Sequence, residues 1–105
     1  MTAKTLAISA EESRIVSAIL REFVPERVVW AFGSRVKGGH KPYSDLDLVV
    51  IDEEPLLLAT LANLTEAFFE SDLPFKVDVV DWATTSESFR RVIEAGYVGV
   101  QGKNG

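Results

Sequence analysis

Apolar residues recur with two different periods along the chain, and the switches between them mark its elements. Ile15, Val16, Ile19, Leu20 and Phe23 keep the spacing of one helical face. Ser9 stands before that run with Glu12 three residues on, the signature of a capping box, and Pro25 closes it. The pattern predicts a helix over residues 10–23. Residues 27–32 (RVVWAF) are β-branched and aromatic, stop at Gly33, and predict a strand. Residues 33–44 are rich in Gly, Ser, Lys and Pro, with room for at most one short helical turn. A second strand follows at 45–51 (DLDLVVI), and Pro55 suits the first turn of a helix that continues to about residue 71. Residues 75–81 (FKVDVVD) read as a third strand. Thr84, Thr85, Ser86 and Glu87 offer another capping box for a helix carrying Phe89, Val92 and Ile93 on one side, with Gly96 after its end. The tail from Gly99 is expected to fray or to need a partner.

The predicted order is α-β-β-α-β-α, a small α/β (α+β) mixed sheet with helices packed on it. The helix between the second and third strands implies a right-handed crossover, and hence a parallel pair; the first and second strands are compatible with either pairing. At 105 residues there is room for one domain spanning residues 1–105, and no internal repeat is visible.

Composition narrows the function. Hydrophobic residues make up 47% and charged residues 26%, ordinary for a globular chain. No stretch approaches the roughly 20 apolar residues of a bilayer span, and the N-terminal residues lack the apolar core of a signal peptide. With no cysteine, disulfides and thiolate metal sites are excluded, and a cytoplasmic protein is the simplest expectation. The net charge of −5 is wrong for gripping long nucleic acid. A local basic cluster of Arg35, Lys37, His40 and Lys41 suits a single triphosphate better.

Strand alternation supplies the candidate chemistry. Asp45, Asp47, Val49 and Ile51 share one face of the second strand, so the two aspartates are neighbours about 7 Å apart. Paired carboxylates on an apolar strand repel and resist burial, and a divalent cation offsets both costs. Magnesium suits one or two carboxylates completed by phosphate oxygens and water. Asp78 interrupts the third strand and shares a face with Lys76 and Val80. Were the strands adjacent, Asp45, Asp47 and Asp78 would make the ligand set of two metals about 4 Å apart, as used for in-line phosphoryl displacement. Asp78 is also a candidate general base. Gly33 and Ser34 directly follow the first strand, where close backbone approach, exposed amides and a hydroxyl bind phosphate, with Arg35 or Lys37 adding charge-assisted bonds. Taken singly, each feature has a plain structural reading. Gly-Ser is usually a turn, Asp-x-Asp occurs at solvated strand ends, and Asp78 suits a wet strand face. Trp30 and Phe32 read as core, His40 and Tyr43 as loop residues, Asp52, Glu53 and Glu54 as a solvated loop, Asp81 as structural, and Arg90 and Arg91 as exposed.

The joint pattern is more specific. Gly33-Ser34-x-x-x-Gly38, then Ser44-Asp45-x-Asp47-Leu48, then Asp78 in a later strand, resembles the DNA polymerase beta-like nucleotidyltransferase superfamily. Within it, the chain is most similar to the minimal nucleotidyltransferase (MNT) group. The resemblance spans residues 27–81, and Val36 stands where a smaller residue is often found. It implies that Gly33, Ser34, Arg35 and Ser44 bind the nucleotide, Gly33 and Ser34 at the β- and γ-phosphates. Asp45 and Asp47 would bind two magnesium ions, and Asp78 would complete the catalytic metal site. It further implies ATP or another nucleoside triphosphate as substrate and a small helical HEPN protein as partner, in a homo- or hetero-oligomer. In such toxin–antitoxin pairs the nucleotidyltransferase is the antitoxin and transfers AMP to a tyrosine of the toxin. Two other functions are carried beside this one: an antitoxin acting by contact alone, and a small-molecule nucleotidyltransferase.

Overall fold

A computed structural model describes residues 5–102; the ends, with part of the segment read against a signal peptide, lie outside the described residues. Helix α1 (Ala10–Phe23) starts on the expected capping box. Glu12 N donates to Ser9 Oγ at 3.0 Å, and Ser9 N donates to Glu12 Oε1 at 2.9 Å. Then come β1 (Val28–Phe32), the one-turn α2 (Ser34–Lys37), β2 (Leu46–Ile51), α3 (Leu58–Phe69), β3 (Val77–Asp81), a 3-10 turn (Trp82–Thr84), α4 (Glu87–Glu94) and β4 (Tyr97–Gln101).

The four strands form one mixed sheet in the order β3-β2-β1-β4. Strand β2 runs parallel to β3, as the crossover helix requires, and antiparallel to β1. Val29, Ala31, Leu46, Leu48, Val50 and Val77 point from the sheet to α1 and α3, where Val16, Leu20, Leu64 and Phe68 complete a buried core. On the opposite face a smaller cluster joins Phe32 and Val49 to Ile93 of α4, with Trp30 and Trp82 at its margin.

Three local expectations are corrected. The described part of the tail, to residue 102, does not fray: β4 pairs antiparallel with β1, and Gln101 Nε2 donates to Val24 O at 2.8 Å and Arg27 O at 2.9 Å. Tyr97 also stacks on Trp30, ring centroids 3.9 Å apart. Helix α3 begins at Leu58 rather than near Pro55, because Leu56 is buried in extended chain and its N–H donates to Asp81 Oδ2 at 2.9 Å. Helix α4 is capped by Ser86, whose Oγ accepts from Phe89 N at 3.2 Å, while the hydroxyls of Thr84 and Thr85 donate to Asp81 O.

Candidate active site

The end of β1 and the starts of β2 and β3 lie side by side, and their register fixes what meets there. Phe32 pairs with Asp47 across β1 and β2, and Asp47 pairs with Asp78 across β2 and β3. Residues directly opposite one another on neighbouring strands point to the same side, so the two carboxylates stand together on the α4 face, where the apolar cluster ends. Both are half-buried. Lys76, named from sequence only as sharing a face with Asp78, brings Nζ to 3.8 Å from Asp78 Oδ1.

Gly33 turns the chain out of β1 at φ +85°, a conformation that strains L side chains. A Cβ added there would fall inside contact distance of Asp47 Oδ2 and 3.3 Å from its Cγ. The space left by the missing side chain is therefore what the Asp47 carboxylate occupies. Gly33 also caps α2, with its carbonyl accepting from Val36 N and Lys37 N at 3.0 Å. The Gly-Ser corner and the aspartate pair are one packed unit.

The electrostatics match that packing. The Asp47 carboxyl is pushed up from 3.8 to about 6, first by burial and then by the charges of Asp78 and Asp45. A half-buried carboxylate with two anionic neighbours is poised to gain from a cation. The donors here are carboxylate oxygens, hard ligands of the kind magnesium takes, and the Gly33 hollow leaves Asp47 Oδ2 room to serve. Among the described residues, no three His, Cys, Asp or Glu side chains are gathered closely enough to hold an ion. Strand β2 starts at Leu46, so Asp45 is an exposed loop residue not bound by strand alternation, yet close enough for its charge to act on Asp47.

Arg35 also departs from its expected part in phosphate binding. Its side chain is buried, and each of its three nitrogens donates to a main-chain carbonyl: Nε to Ser44 O at 2.9 Å, NH1 to Ala7 O at 2.9 Å and NH2 to Pro42 O at 3.0 Å. The guanidinium lies 4.1 Å from the centroid of the Phe75 ring. It acts as a strut between α2, the loop before Asp45 and the approach to β3. Ser44 closes that loop, its Oγ accepting from Lys41 N at 2.7 Å. Asp81 has a structural place, accepting from Leu56 N and Ala83 N. Arg90 is half-buried rather than exposed, donating through Nε and NH2 to Trp82 O.

A sequence profile of the nucleotidyltransferase domain matches residues 13–98, which takes in every residue of this site. The chain belongs to the nucleotidyltransferase domain family. A Haemophilus influenzae protein named probable protein adenylyltransferase MntA is 58% identical over 98 residues, covering 93% of this nucleotidyltransferase and 86% of that protein. Solved structures share the fold at lower identity. A chain of a toxin–antitoxin crystal structure with AMP-PNP superposes with a TM-score of 0.72 at 23% identity, covering 86% of this chain and 73% of that one. A chain from the complex of a tri-AMPylated Shewanella oneidensis HEPN toxin with its MNT antitoxin gives 0.66 at 22% identity, covering 88% and 71%. Among the described residues of this nucleotidyltransferase, no helix is long and apolar enough to cross a membrane.

Proposed function

We propose that this nucleotidyltransferase is a protein adenylyltransferase that moves AMP from ATP to a hydroxyl of a HEPN-type partner, as the antitoxin of a toxin–antitoxin pair in the cytoplasm. The observation that carries the chemistry is the register of Asp47 with Asp78 beside the Gly33 hollow. The 58% identity to the Haemophilus influenzae protein supports AMP as the group transferred and a protein as the acceptor. The shared fold with chains of toxin–antitoxin complexes supports the partner class.

In this reading the main chain at Gly33 and the Ser34 hydroxyl bind the β- and γ-phosphates, with Ser44 holding the loop beside them. Arg35 keeps Gly33 and Asp45 at fixed separation through its three carbonyl bonds. Asp45, Asp47 and Asp78 would hold magnesium. When bound, magnesium neutralises phosphate charge and favours departure of pyrophosphate. The acceptor oxygen bonds to the α-phosphorus as the bond from that phosphorus to the bridging oxygen breaks. Pyrophosphate leaves, and the acceptor's proton passes to the Asp78 carboxylate.

The test is to incubate the protein with α-labelled ATP, magnesium and the product of the gene adjacent to its own. Label is expected on the partner, and is expected to vanish with Asp45→Asn/Asp47→Asn. Neutralisation of the partner that survives both substitutions, with no label transferred by the unaltered protein, would leave contact alone as the function.

A further inference from the structure

Helix α3 is apolar on two sides. Leu61, Leu64 and Phe68 face the core. Leu58, Ala62, Thr65 and Phe69 recur at steps of four, three and four residues along a second stripe, and Leu58 and Phe69 are 85% and 82% exposed. Placing a leucine and a phenylalanine where a surface helix keeps polar residues has no use in the fold described above. The stripe opens into a groove of about 400 Å³ whose walls include Thr65, Phe69, Leu73, Pro74, Lys76 and Val77. Its far wall is the approach to β3, an edge strand of the sheet.

Charge tells what fits. Roughly a quarter turn round α3 from the apolar stripe, Glu66 and Glu70 are exposed one helical turn apart, and they border a shallower hollow with Asn63. The surface is thus an apolar ridge about three turns long with an acidic flank, on a chain of net charge −5. Two copies of α3 packed antiparallel along this stripe would bring both acidic flanks to the same side of the contact, a like-charge arrangement.

We infer that the outer face of α3 and its groove seat an amphipathic helix of a partner protein, one with an apolar ridge flanked by lysine or arginine. Anchors at Leu58, Thr65 and Phe69 match the spacing by which one helix lies along another. Lys76, on the groove wall, brings Nζ to 3.8 Å from Asp78 Oδ1, so a partner that extends from the groove round the β3 edge reaches the site's carboxylates. That last consequence rests on the proposed protein acceptor; the docking itself does not.

Fluorescence anisotropy on the full chain, without nucleotide or metal, tests the docking. The probe is a labelled 21-residue helical peptide with a leucine ridge and a lysine flank, compared with a twin whose flank is glutamate. Saturable binding to the lysine peptide is expected, about tenfold tighter than to the twin, and Phe69→Ser or Leu58→Ser should weaken it about tenfold. Glu66→Lys/Glu70→Lys should reverse the preference between the two peptides. No binding, equal binding to both peptides, or binding indifferent to Phe69→Ser would overturn the inference. So would a dimer seen in sedimentation that Phe69→Ser dissolves, which would assign the face to a second copy. These variants lie outside the site, so pyrophosphate release from ATP reports on the proposed catalysis separately, whichever way docking falls.

Discussion

The two faces of the sheet are built from the same strands and treated oppositely. Toward α1 and α3, every second residue of β2 is a fully buried leucine or valine, and the buried Asp81 of β3 beside Val50 is satisfied by the N–H groups of Leu56 and Ala83. Toward α4, the same strand passes from Ile51 and Val49 to Asp47, and apolar packing gives way to carboxylates within two residues. The first face supplies stability. The second holds a half-buried charge beside two others, an arrangement that weakens the unliganded fold and readies the site for a cation and a triphosphate. Arg35 shows what a charge looks like when the fold uses it for structure: three carbonyl acceptors and an aromatic ring surround it. Asp47 has no comparable set of donors among the described hydrogen bonds, and burial together with the charges of Asp78 and Asp45 raises its carboxyl.

This contrast can be broken from either side. Asp47→Asn should have the largest effect, lowering transfer by about a hundredfold or more, as loss of a group acting at the transferring phosphoryl does. Steady-state kinetics with labelled ATP measures it, and the fold should survive. Leu48→Ala on the closed face should do the reverse. A cavity at a residue with no exposed surface costs about 2–5 kcal/mol in urea unfolding. The KM for ATP should stay near its original value in the fraction that remains folded. Gly33→Ala touches both properties. Its positive φ and its contact with Asp47 should cost about 1–3 kcal/mol and displace the carboxylate, so stability and transfer fall together.

The pH dependence is the gentlest probe. With the folded-state value of Asp47 raised from 3.8 to about 6, the folded protein binds more protons than the unfolded chain between those values. The contribution of this group to stability is complete below about pH 3.8 and is lost as pH rises through 6. The kcat/KM for ATP, which reports on the free enzyme, should run the other way, falling as pH drops through 6 and Asp47 is protonated. Parallel unfolding and activity profiles test this, and Asp47→Asn should flatten the contribution in the first.

The aspartates, the Gly-Ser corner and the parallel β2–β3 pair were legible because each follows from local rules: alternation along a strand, a glycine after it, a helical crossover between strands. The capping box at Ser9 was legible for the same reason. What escaped the sequence depends on contacts between distant residues. β4 carries Gly99 and offers little strand signal of its own; Gln101 is anchored by Val24 O, 77 residues away in sequence. Arg35 sits in a run of basic residues and reads as a phosphate ligand, and only the folded positions of Ala7, Pro42 and Phe75 reveal the strut. Asp45 was placed on the strand because alternation was extended one residue beyond where pairing begins.

The charge that burdens the free protein at Asp47 is the one its ligand uses. Urea unfolding of the protein and of Asp47→Asn at pH 7.5, each with and without magnesium and a non-hydrolysable ATP analogue, tests it directly. Asp47→Asn should be the more stable of the two without ligand, and magnesium with the analogue should stabilise only the unaltered protein. Equal stabilisation of both, or an Asp47→Asn protein less stable than the original when unliganded, would contradict it.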